Sequence, residues 1–150
     1  MQREIRFRAF DIQKKQMHYF GAFQFEQFVR HFLAPDEVRQ NVFPFDGIES
    51  GEMTTKQPLE AWTMMQAIGR KADDGRMIYE GDILKLFSYY EMNVPEDAPR
   101  PEYAIVTYSS INTAFVLMRG IEVIGRWNSY ECIEIIGNVD ENPELIPLPK

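Results

Sequence analysis

The chain has one cysteine, Cys132, and two histidines, His18 and His31, in 150 residues. A lone cysteine excludes an internal disulfide, and its apolar neighbours Ile133, Ile135 and Ile136 predict a buried small hydrophobe rather than a reactive thiol. With so few soft ligands, a structural zinc site would need carboxylates from unrelated segments, so no metal is expected. Long hydrophobic runs are missing too. The longest, Ala114 to Met118, is far too short to span a bilayer, and no charged-then-apolar leader precedes the first strand. The expected location is the cytoplasm, with no membrane partner. The chain also lacks a Gly-rich phosphate cradle, a Gly-x-Ser-x-Gly elbow and a His-Glu-x-x-His helix, which leaves no cofactor and no small-molecule substrate evident.

Positive charge is scarce: 16 basic residues face 23 acidic ones, for a net charge of −7. Such a chain repels a polyphosphate unless its basic residues gather on one face. They outnumber the acidic ones only within residues 1–34. A hydrophobic share of 45% with 26% charged residues is that of an ordinary globular protein. At this length the default is one compact body, read as an N-terminal β-rich part over residues 1–61 and a C-terminal part over 62–150.

Residues 3–10 alternate, with Ile5, Phe7 and Ala9 opposite Arg6, Arg8 and Phe10, which predicts a half-buried strand. A polar loop over 11–16 and a returning strand over 17–25 complete a hairpin. Phe25, Phe28, Val29, Phe32 and Leu33 then fall on one helical stripe, ended by Pro35. Residues 34–60 read as an irregular excursion. Residues 62–68 predict a strand and 69–73 a loop.

Two glycine turns follow within a few residues. Asp74-Gly75 and Gly81-Asp82 each supply a left-handed backbone position, and the apolar alternation of Ile83, Leu84, Leu86 and Phe87 begins after the second. Further strands are predicted over 83–89, 103–108, 114–118 and 132–137, with an extended Pro-bearing tail from Asn142. The resulting fold class is mainly β: small barrel-like sheets, an SH3-type barrel in the C-terminal half, and one short helix in the N-terminal half.

Three segments resemble the YopX family of prophage and mobile-element proteins. They are Arg3 to Asp11; Met65-Gln66 with Gly69 and the run Asp74-Gly75-Arg76-Met77-Ile78-Tyr79-Glu80-Gly81-Asp82-Ile83; and Ile135-Ile136-Gly137-Asn138 through Asn142-Pro143-Glu144-Leu145. Phe10 stands where the family usually has Trp, and Ala67-Ile68 where it has Tyr-Thr. The resemblance implies a mainly β protein with an SH3-type barrel in its C-terminal part that assembles with itself. It implies no reaction, since the family has no established activity.

Placing Gly75 sixth in a calcium loop makes Arg70 the first ligand and Gly81 the twelfth, which fails. Glu80 and Asp82 could form an acid/base pair, but beside a turn glycine they are expected to be solvated, with Asp82 accepting local backbone N–H bonds. Nine phenylalanines crowd the first 45 residues among the basic ones. Arg6, Arg8 and Phe10 are therefore a candidate nucleic-acid face, disfavoured against core and interface roles for the rings. The expected function is that of a non-enzymatic prophage accessory protein, a homo-oligomer acting through protein contacts.

Overall fold

A computed structural model describes residues 4–26, 61–88 and 101–147. The predicted helical stripe beyond residue 26, His31 and the excursion over 34–60 lie outside the described residues. Among the described residues, antiparallel strands run β1 (Arg6–Asp11), β2 (Gln16–Gly21), β3 (Trp62–Lys71), β4 (Met77–Tyr79), β5 (Asp82–Ser88), β6 (Glu102–Ser109), β7 (Ala114–Arg119), β8 (Glu122–Val123) and β9 (Tyr130–Asn138). They form two sheets, ordered β2-β1-β3-β4 and β8-β7-β6-β5-β9. The chain divides inside β3 into two compact units, Met1–Ala67 and Ile68–Lys150. No described helix is long and apolar enough to cross a membrane.

In the first unit, β1 and β2 form the predicted hairpin, with Phe7 opposite Phe20 and Phe10 opposite Met17. Its turn is fastened by Asp11, whose buried carboxylate accepts from the backbone N–H of Gln13 at 3.0 Å and of Lys14 at 2.9 Å. Side-chain oxygens of Asp stabilise such turns by satisfying two amides that the ladder cannot reach. β2 stops at Gly21, short of the expected end, and residues 22–26 are helical. That bend returns Phe25 over Phe7, stacked at 4.1 Å between ring centroids, and edge-on to Phe20 at 6.0 Å. Aromatic pairs of this geometry add roughly 0.5–1.5 kcal/mol beyond the area they bury.

The strand is not half-wet as its alternation predicts. Phe10, Met17 and Met65 form a buried cluster on one face, while Ala9 and Phe20 are fully buried on the other.

The second unit has its core on one face of the five-stranded sheet: Leu84 and Leu86 of β5, Ala104 and Val106 of β6, Leu117 of β7, Tyr130 and Ile133 of β9, with Ala72 and Ile78. β5 sits between β6 and β9, so that Leu84 faces both Ala104 and Ile135. Fully burying each such leucine is worth roughly 1.5–3 kcal/mol. β3 continues through Gly69 to Lys71, where a loop was expected. Arg70 belongs to this strand and lies over the Trp127 ring at 5.8 Å.

No closed barrel is found among the described residues. The outer edge of β9 is taken by the turn after β3: the Asp73 N–H donates to the Ile133 carbonyl at 3.0 Å, the Ile133 N–H to the Asp73 carboxylate at 3.2 Å, and the Arg76 guanidinium to the Ile135 carbonyl at 2.9 Å. β8, two residues long at the opposite edge, does not supply those bonds. A covered edge of this kind blocks further strand addition.

Candidate functional site

The two motif-bearing segments of the second unit meet at one corner. Gly75 takes φ 88°, and the Asp74 carboxylate accepts from Arg76 twice, from its backbone N–H at 2.9 Å and from Nε at 2.6 Å. These bonds hold the Asp74 carboxyl below the usual carboxylate range. Three residues of β4 lead to the second turn. There Gly81 takes φ 87°, its N–H donates to the Val106 carbonyl at 2.8 Å, and its carbonyl accepts from Val139 at 2.9 Å. Gly81 thus joins β4, β6 and the residue after β9 through its backbone, in a region of φ that a Cβ disfavours.

Asp82, opposite Asn138 in the β5–β9 ladder, is 2% exposed and accepts from the Tyr79 N–H at 2.8 Å. The local backbone role expected of it is present, but its expected solvation is not. A carboxylate buried in this way closes the turn between β4 and β5 and is not presented to a reactant. Glu80 is half-buried beside it.

Asn138 does the matching work at the end of β9. Its Oδ1 accepts from the backbone N–H groups of Asp140 at 3.1 Å and Glu141 at 2.8 Å, while Nδ2 donates to the Glu141 carboxylate at 2.8 Å. Its own N–H donates to Asn142 Oδ1 at 3.1 Å, and the Asn142 N–H returns to the Asn138 carbonyl at 2.9 Å. Asn142 packs so closely on Gly137 that a Cβ there would stand 2.6 Å from Oδ1. Pro143 then starts a single 3-10 turn, Pro143–Leu145, in the tail that was expected to be extended. Each of these polar side chains holds backbone, so the corner positions strands.

The candidate nucleic-acid face is arranged otherwise than its sequence suggests. Arg8 is 3% exposed, opposite Tyr19 and Met65, and Phe10 is in the buried cluster. Arg6 is half-buried and paired with Glu4 at 3.2 Å. Alternation placed these three side chains on one face correctly, but Arg8 and Phe10 on that face are buried.

His18 is buried, 5.8 Å from the Trp62 ring. Among the described residues no group of three or more His, Cys, Asp or Glu side chains is placed to hold a metal ion.

Cys132 is half-buried, not buried as expected. A hydrogen bond to the Asp73 carboxylate, partial burial and the nearby acidic charges push its thiol up to about 11. The folded state therefore favours the protonated thiol, a preference complete below the ordinary cysteine value and lost as the pH rises through about 11. At pH 8 a disulfide reagent should modify the folded protein about tenfold more slowly than the urea-unfolded chain. Asp73→Asn should narrow that gap, and equal rates for folded and unfolded protein would contradict the assignment.

Sequence reasoning missed a contact between distant residues: the Tyr130 hydroxyl donates to the Glu102 carboxylate at 2.6 Å, beside an open cleft. Nothing in local patterning links two residues that only the β5-centred sheet brings together.

No curated protein matches the chain. Among solved structures it is similar to protein EF1440 from Enterococcus faecalis, at 24% identity and a TM-score of 0.53 over 94% of this chain and 96% of that one. It is also similar to protein yopX from Bacillus subtilis, at 19% identity and a TM-score of 0.48 over 97% and 98%. The first likeness supports the fold. The family model described as YopX protein matches residues 6–147, nearly the whole chain, covering the second and third motif segments entirely and the first from Arg6. The chain belongs to the YopX family.

Proposed function

We propose that the chain is a non-enzymatic accessory protein of a prophage, working in the cytoplasm as a self-associating protein-interaction module. Phe23 carries this reading: it is 67% exposed, just after the β1–β2 hairpin. Ile5 at 53% flanks the same end of the hairpin, because Arg6 pairs with Gly21, and Met64 at 38% lies opposite Ala9. Burying such side chains between copies at roughly 25 cal/mol per Å² outweighs the screened repulsion of acidic subunits. The non-enzymatic part rests on the corner, whose Asp82 and Asn138 hold backbone groups, and on a Cys132 thiol kept protonated. In our reading the five-stranded sheet of the second unit serves as an SH3-type scaffold opened at β9.

Light scattering at micromolar concentration should give a mass above that of one chain, and Phe23→Ser should reduce it without lowering the melting temperature. A wild-type monomer would refute self-association.

A further inference from the structure

We propose that a cleft in the second unit binds a small organic cation bearing a guanidinium or primary ammonium group. The cleft has a volume of about 480 Å³ and is lined by Glu102, Arg119, Glu122, Ile124, Gly125, Ser129 and Tyr130. That size falls in the range of small-ligand sites, and its walls come from β6, β7, β8, the connection from β8 to β9 and the start of β9.

Its chemistry is uneven in charge. Arg119 and Glu122 are direct cross-strand partners in the β7–β8 hairpin, so their charges offset each other locally. Glu102 is the additional negative charge. Its carboxylate is set in place by the 2.6 Å hydrogen bond from Tyr130, itself 7% exposed and part of the core. A carboxylate oriented by a buried side chain has already lost the rotamer freedom that an exposed glutamate would give up on binding.

Gly125 makes this arrangement possible. It takes φ 50°, and a Cβ built there would strike the Tyr130 hydroxyl and lie 2.9 Å from the ring carbon that bears it. Any other residue would push Tyr130 away from Glu102. The excess carboxylate and Ser129 around one opening match an organic cation better than an anion, which would have only Arg119 to pair with.

The test is a titration of the full chain with argininamide, followed by amide NMR shifts and calorimetry, with sodium phosphate as the opposing probe. Saturable shifts at Glu122, Gly125 and Ser129 are expected, with a dissociation constant of about 1 mM or below that weakens with salt. Glu102→Gln keeps an acceptor for Tyr130 and removes the charge; it should weaken binding about tenfold. Glu122→Gln, at an exposed site that cannot unfold the sheet, should weaken it less. Absence of saturation by about 10 mM argininamide would overturn the proposal. So would phosphate shifting the same amides instead, or Glu102→Gln binding as tightly as the wild type. Oligomeric mass is unaffected by any of these outcomes, so the cleft and self-association are judged separately.

Discussion

Gly81→Val is expected to lower the stability of the folded protein by more than about 1 kcal/mol, through forced backbone strain. Gly81 sits at φ 87°, where an L-residue costs roughly 1–2 kcal/mol and a β-branched one more. The chain has no easy way to relax, because the two polar groups of Gly81 are both in use, one on Val106 and one on Val139. Rotating φ to a negative value would break at least one of them. Urea denaturation should show a lower midpoint with an unchanged slope, and Gly81→Ala should lie between Val and the wild type. A midpoint equal to that of the wild type would show that this residue does not need its positive φ.

Asn138→Ala should cost more, about 2–4 kcal/mol, because it leaves two backbone donors without their acceptor. The N–H groups of Asp140 and Glu141 both point at Oδ1 of a side chain that is only 6% exposed. Asn142→Ala removes one side-chain acceptor of the Asn138 N–H, and its side-chain donor reaches the exposed carboxylate of Glu144 at 3.3 Å. Its cost should be about 1 kcal/mol. The order of the two melting temperatures is the informative result: if Asn142→Ala is the more damaging, the knot at the end of β9 is organised around the wrong asparagine.

Both substitutions bear on the same corner, and the two halves of that corner were unequally legible. The turns at Gly75 and Gly81 could be read from neighbouring residue types, and both glycines have the positive φ that those types demand. So could the strands β5, β6, β7 and β9, whose apolar alternation is local and whose ends fall within one or two residues of the expected ones. Gly137, Asn138, Asn142 and Pro143 stood out only through the family resemblance. Their purpose depends on β9 lying beside β5, with Asp82 opposite Asn138, and no local pattern specifies such a pairing across the chain.

Period-two alternation distinguishes the two sides of a strand without saying what covers either side. Arg8 therefore looked like part of a wet basic face, although its side chain shares a face with Phe10, Met17 and Met65 in the interior. Cys132 was misjudged for the related reason that its apolar neighbours say nothing of Asp73, which reaches it from the turn after β3. β8 is too short for any periodicity to register.

By itself, then, the order of residues determined a mainly β chain, the positions of its bends and its family, because backbone preference and alternation act over a few neighbouring residues. Tertiary structure decided which polar groups are buried, that the edge of β9 is covered by the Asp73–Arg76 turn and not closed by β8, and that Glu102 meets Tyr130 at a cleft. Those outcomes depend on contacts between residues far apart in sequence, which form only when whole strands pack.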